Sequence, residues 1–122
     1  MVYLLIGGDI AAKEIQLRKI KQEFLPLQLQ DFNLDVLYSK EINLKDIQER
    51  FLALPLKSAK RIIVIKDAQL LEGGARDFLL TFSKALHPEL VLVLDFAQDD
   101  YKDSFIKDLS QYARVLRFKE IV

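Results

Sequence analysis

The 122 residues contain no cysteine. Disulfides, thiolate metal sites and cysteine nucleophiles are therefore excluded, and the cytosol is the expected compartment. The only histidine is His87, which leaves a transition metal without a second imidazole. Beside Pro88 at a helix end, it reads as a surface or capping residue. An excess of one charge is missing as well: 18 Lys and Arg balance 18 Asp and Glu. Proteins that hold nucleic acid mainly through phosphates need a positive surplus, so DNA contact is expected only indirectly or weakly, and no membrane surface is indicated. No apolar run approaches the roughly 20 residues of a membrane span. The opening Met1 to Asp9 has no basic leader, and its apolar run is too short for a signal peptide. Neither a linker nor a repeat divides the chain. What remains, 51% hydrophobic and 30% charged, is the mix of one globular domain with one core.

Short apolar runs alternate with amphipathic stretches. Tyr3 to Ile6, Leu34 to Tyr38, Ile62 to Ile65, Leu90 to Leu94 and Val115 to Phe118 read as strands. Most are continuous rather than alternating, as in strands buried on both faces of a parallel sheet. Between them lie helical patterns. Ile10, Leu17, Ile20 and Phe24 share a side before Pro26 stops the helix. Leu44, Ile47, Phe51 and Leu52 share another, with Asn43 as the N-cap. Phe78, Leu79, Phe82, Ala85 and Leu86 form a third face, and Phe105, Ile106, Leu109, Tyr112 and Ala113 a fourth. The order β-α-β-α-β-α-β-α-β predicts an α/β fold: a three-layer α/β/α domain around a mostly parallel five-stranded sheet. Ligands of such folds sit at the carboxyl ends of the strands.

A phosphate loop, G-x-x-x-x-G-K-[ST], belongs between the first strand and helix, where its glycines, lysine and hydroxyl hold phosphates and magnesium. This chain reads Gly7-Gly8-Asp9-Ile10-Ala11-Ala12-Lys13-Glu14 there. Gly7 and Lys13 fit. Ala12 replaces the second glycine and Glu14 the hydroxyl, and the carboxylates of Asp9 and Glu14 repel phosphate. The third strand of an ATPase of this layout ends in Asp-Glu, for magnesium and water. Here Ile62-Ile63-Val64-Ile65 runs into Lys66-Asp67. Lys66 inverts the charge beside the expected metal, and Asp67 reads as a helix cap or solvated acid. Both halves of a P-loop NTPase-like nucleotide site are thus degenerate, and no cofactor is expected. Asp95, Asp99, Asp100 and Asp103 match no EF-hand spacing and read as a solvated acidic turn. Ser39 and Ser58 have no neighbouring base, so nucleophilic catalysis lacks support.

Before the third strand stands Leu54-Pro55-Leu56-Lys57-Ser58-Ala59-Lys60-Arg61. Pro55 must end the preceding helix. Leucines at a turn rimmed by Lys57, Lys60 and Arg61 have the look of a small docking site; from periodicity alone, folding both leucines back into the core is the better reading.

The element order, the Leu54-Pro55-Leu56-x-Ser58-x-Lys60-Arg61 segment leading into Ile62-Ile63-Val64-Ile65-Lys66-Asp67-Ala68, and the missing phosphate loop together resemble the delta subunit of the bacterial DNA polymerase III clamp loader. The likeness covers its N-terminal domain, from Tyr3 to about Phe118. It implies an AAA+ fold that does not hydrolyse ATP. It implies a part in DNA replication, gripping one protomer of the sliding clamp and holding an interface open for DNA to enter. The apolar wedge that makes this grip maps onto Leu54, Pro55, Leu56 and Lys57, although many members carry Phe or Met where this chain has only leucines and Lys57. The resemblance also implies that the other clamp-loader subunits are met through helical lid and collar domains outside residues 1–122, so that the chain is a fragment or a minimal relative. Two other readings of the residues stay open. One is a divergent P-loop enzyme with Lys13 on phosphate and Asp67 as acid. The other is a receiver-like signalling domain, for which Asp9 lacks an acidic neighbour.

Overall fold

The computed structural model describes residues 1–29, 33–52, 60–99 and 102–119. Its strands are β1 (Val2–Gly7), β2 (Leu34–Tyr38), β3 (Arg61–Lys66), β4 (Leu90–Phe96) and β5 (Arg114–Phe118). They lie in the order β2-β3-β4-β1-β5. Every pairing is parallel, so the sheet expected to be mostly parallel is wholly so among the described residues. The order also removes the receiver-like reading. In that fold β1 lies between β2 and β3, whereas here it lies between β4 and β5.

Four helices, α1 (Ile10–Phe24), α2 (Leu44–Leu52), α3 (Gly73–Lys84) and α4 (Ser104–Leu109), connect the described strands. Direction of travel decides which face each covers. From β1 the chain crosses β4 and β3 to reach the β2 edge, and every later crossover runs back the other way. Right-handed crossovers then put α1 alone on one face and α2, α3 and α4 on the other. The core divides accordingly. Leu17 and Ile20 of α1 pack on Tyr3, Leu5, Ile62, Val64, Val91 and Val93. Ile47, Phe51, Ala75, Leu79, Phe105 and Leu109 pack on Leu4, Ile6, Ile63, Ile65, Leu92 and Leu94. Successive strand residues point to opposite faces, and both faces are covered. That is why the runs in the sequence are continuous rather than alternating.

Side-chain caps start three of the helices. Asp9 accepts from the Ala12 amide at 3.1 Å, and Asp103 from the Phe105 amide at 2.9 Å. Asn43 accepts from the Asp46 amide while Asp46 accepts from the Asn43 amide, both at 2.9 Å, a reciprocal capping box. Some periodic positions leave the core. Ile10 and Leu52 are 72% and 75% exposed because they are the first and last residues of their helices, past the sheet they would have to cover. α3 ends at Lys84 and α4 at Leu109, so Ala85 and Tyr112 fall beyond the helices and stay exposed.

The basic rim expected before β3 is also revised. Arg61 is buried and pairs with Asp35 of β2, which additionally meets Arg50 at 3.3 Å. Lys60 donates to the Pro88 carbonyl at 2.9 Å. Arg61 shares its face of β3 with Ile63 and Ile65, so its charge points under α2 and needs an internal partner rather than solvent.

Candidate functional site

The residues read as a degenerate nucleotide site come together at one place in the fold. Gly7 ends β1, Lys13 and Glu14 stand on the first turns of α1, Lys66 ends β3, and Asp95 is the penultimate residue of β4. They surround an open cleft of about 520 Å³ at the carboxyl ends of the strands. Two periodicities bring the charges together. On α1, Lys13 precedes Leu17 and Ile20 on the buried stripe and extends it toward the helix start. On the sheet, Lys66 follows Ile62 and Val64, and Asp95 follows Val91 and Val93, on the face that α1 covers. Ile65 is in register with Leu94, so Lys66 and Asp95 are neighbours on adjacent strands.

The result is a chain of four alternating charges. Lys13 Nζ donates to Asp95 Oδ1 at 2.6 Å and to the Phe96 carbonyl at 3.0 Å. The other carboxylate oxygen of Asp95 lies 3.5 Å from Lys66 Nζ, which donates to Glu14 Oε1 at 2.8 Å. Lys13 and Asp95 are buried, while Glu14 is half exposed. The Lys66 hydrogen bond holds the Glu14 carboxyl below its usual range, against partial burial, which pushes it up. Burial pulls the Lys66 ammonium down, but the bond to Glu14 and the charge of Asp95 outweigh that and leave it above the usual lysine value. An ammonium thus sits where a magnesium-binding carboxylate is expected, already neutralised from both sides.

The loop residues carry separate burdens. Gly7 has φ +131°, and a Cβ there would lie 1.8 Å from the Phe118 carbonyl oxygen of β5. The glycine is required by close strand approach. Asp67 occupies the left-handed region at φ 54°, ψ 48°. It starts the 3-10 turn Ala68–Leu70 without a side-chain cap, and among the described residues its carboxylate accepts only from Gln69 Nε2 at 3.4 Å, so it is the solvated acid and not the cap.

The expected acidic turn does not hold together. Asp95 is buried in the lysine network, Asp99 pairs with Arg117 at 2.9 Å, and Asp103 caps α4 and meets Arg76 at 3.2 Å. Asp100 lies outside the described residues. A carboxylate set between the buried Leu94 and Phe96 is a signal for an internal partner, and that signal was available in the sequence. His87 is exposed, its Nδ1 accepting from the Glu89 amide at 3.1 Å in the turn before β4. Leu54, Pro55, Leu56 and Lys57 lie outside the described residues. Among the described residues no group of three His, Cys, Asp or Glu could hold a metal, and no helix is long and apolar enough to cross a membrane.

The family described as DNA polymerase III, delta subunit, matches residues 3–119. The chain belongs to that family. No curated protein matches it. The delta-family fold also appears among solved structures. A Bacillus subtilis DNA clamp loader delta protein superposes with a TM-score of 0.83 at 22% identity, covering 98% of this chain and 38% of that one. A Thermotoga maritima DNA polymerase III gamma subunit-related protein gives 0.67 at 17%, covering 100% and 41%. A chain of the Drosophila ORC structure bound to DNA and Cdc6 gives 0.55 at 13%, covering 98% and 25%. These likenesses establish an AAA+-like α/β fold. The delta-family chain described here spans well under half the length of each.

Proposed function

We propose that this delta-family domain binds the sliding clamp and helps open it for loading onto DNA, without binding or hydrolysing ATP itself. The observation that carries this reading is the Glu14–Lys66–Asp95–Lys13 network. It takes up the groups a nucleotide would need, and so favours a protein-binding role over the divergent-enzyme reading.

The proposed wedge is Leu54, Pro55, Leu56 and Lys57. In the sequence it falls between Leu52, the last residue of α2, and Arg61, the first of β3. Leu52, on the near side of that segment, is exposed and apolar. An apolar anchor seated in a partner's pocket is how a few residues come to carry most of an interface's energy. Each fully buried leucine contributes about 1.5–3 kcal/mol. Helical lid and collar domains outside residues 1–122 would join this domain to the other clamp-loader subunits, in the cytoplasm, with DNA touched only indirectly or weakly.

The test is surface plasmon resonance against the sliding clamp of the same organism, with a Leu54→Ala/Leu56→Ala variant alongside. Two lost leucine anchors predict at least a hundredfold weaker binding, about 3 kcal/mol. Equal binding of the variant would move the contact elsewhere. No binding of either protein at high micromolar concentration would overturn the function.

A further inference from the structure

We infer that Asp95, with Glu14, is a built-in anion occupying the phosphate-accepting groups of the cleft, and that withdrawing it opens a site for inorganic polyphosphate. This rests on the reading above that the native cleft takes no nucleotide.

Room is not what the cleft lacks. Its volume of about 520 Å³ falls within the range of small-molecule sites. Nor does the missing second glycine close it. The residues lining the cleft include Gly7, Gly8, Lys13 and Glu14 but not Ala12. What a polyphosphate would find missing is free donors. It would use the lysine of the first helical turn, a second cation, and amides at the helix start. Lys13 Nζ is taken by Asp95 at 2.6 Å and by the Phe96 carbonyl at 3.0 Å. Lys66 Nζ is taken by Glu14 at 2.8 Å and approached by Asp95 at 3.5 Å. Behind the cleft lining, the Ala12 amide is capped by Asp9 at 3.1 Å. Both lysines have a carboxylate of the same chain against them, and the two lysines and two acids of the network sum to zero charge. Asp95 is the centre, since among the described residues it alone pairs with both ammonium groups. Converting it to an amide leaves the buried Lys13 with neutral acceptors only, the Phe96 carbonyl and the new amide oxygen, and without a counter-charge, which is costly unless another anion arrives. Glu14 is the peripheral member and half exposed, so its removal leaves Lys66 held only by Asp95 at 3.5 Å, with little risk to folding.

The experiment follows thermal unfolding of the whole chain, with sodium pyrophosphate against sodium chloride at equal ionic strength. The proteins are the wild type, Asp95→Asn, Glu14→Ser and the double variant Asp95→Asn/Lys13→Met. The wild type is expected to show no specific response. Asp95→Asn starts lower and is raised by roughly 5 °C at ten times its dissociation constant. Glu14→Ser responds in the same direction by less, and the double variant loses the response. A folded Asp95→Asn that ignores pyrophosphate overturns the inference and leaves the proposed function intact. If Asp95→Asn does not fold, Glu14→Ser decides, and its silence overturns the inference equally. A wild-type response as large as the variants' would instead sink the reading that the native cleft is closed.

Discussion

Gly7→Ala separates two reasons for a glycine at the end of β1. A phosphate loop keeps glycine so that amides can wrap a ligand, and without the ligand a methyl there would be harmless. The geometry here gives a different reason. At φ +131° an added Cβ would meet the Phe118 carbonyl oxygen at 1.8 Å and its carbon at 2.6 Å. The clash is with backbone, so no rotamer relieves it. Either β5 withdraws by roughly 1 Å, or Gly7 leaves its conformation, and an L-residue held in such a region costs about 1–3 kcal/mol. Withdrawal disturbs the register in which Gly7 faces Phe118, and with it the Asp9 amide bond to the Phe118 carbonyl at 3.4 Å. Each displaced hydrogen bond adds about 1 kcal/mol. The expected loss is about 3–5 kcal/mol, a large share of the roughly 5–15 kcal/mol that holds a domain folded. With an m-value of about 1.5 kcal/mol/M, urea unfolding should move its midpoint down by about 2–3 M. Amide hydrogen exchange should show the loss concentrated on β5 and on the β1 end it pairs with. A midpoint within about 0.3 M of wild type would refute the argument that strand closure, rather than a ligand, requires this glycine.

Two further outcomes follow from packing and charge. Phe51 is buried, with ring centroids 5.5 Å from Phe78 and 5.0 Å from Phe82 in edge-on contacts; Phe51→Ala should cost about 3–5 kcal/mol by chemical denaturation, and a loss below about 1 kcal/mol would mean that α2 contributes little to the core. Glu14→Gln should flatten the acid limb of the stability profile. The folded-state pKa of Glu14 is depressed by Lys66, so its pairing stabilises above the ordinary carboxylate range and is lost as pH falls through the depressed value. Lys66 is the mirror case: its folded-state pKa is raised, so its share is present below the ordinary lysine value and lost as pH rises through the raised one. Glu14 is half exposed, which limits the difference between wild type and variant near neutral pH to below about 1 kcal/mol. Melting curves of the two proteins that converge under acid agree with this, and parallel curves across the whole range do not.

The strands were readable because a parallel sheet covered on both faces writes itself as unbroken apolar runs. All five sequence runs lie within the five strands observed; Leu34 to Tyr38 coincides with β2, and the other four are extended by a residue or two. Helix interiors were readable for a similar reason. Leu17, Ile20, Ile47, Leu79 and Leu109 are buried where the 3.6-residue period puts them. The period fails at helix ends, where an apolar residue can be in phase and still have no sheet beneath it. Ile10 and Leu52 are those cases. Strand order was not legible at all, since it depends on which crossover skips which neighbours, and no local pattern records that.

The site was legible only as a series of departures. Glu14 at the hydroxyl position and Lys66 at the magnesium position read from the sequence as two independent defects in a nucleotide site, 52 residues apart. In the fold they are partners at 2.8 Å. Either alone would set an unmatched charge beside the other ions of the cleft. Together, with Asp95 holding Lys13 from 82 residues away, they balance it. Pairings across such separations leave no trace in spacing or periodicity. What the sequence does carry is charge placed inside apolar strands. Asp95 sits between Leu94 and Phe96, and Arg61 runs directly into Ile62 and Ile63. Each signals that a counter-charge must come from elsewhere in the chain, because an ion buried without one costs several kcal/mol. For Arg61 the partner is Asp35 on the next strand, and the pair serves the sheet edge. For Asp95 the partners are the two lysines that would otherwise face a phosphate. The same rule that pairs Arg61 with Asp35 therefore also pairs the lysines that line this cleft.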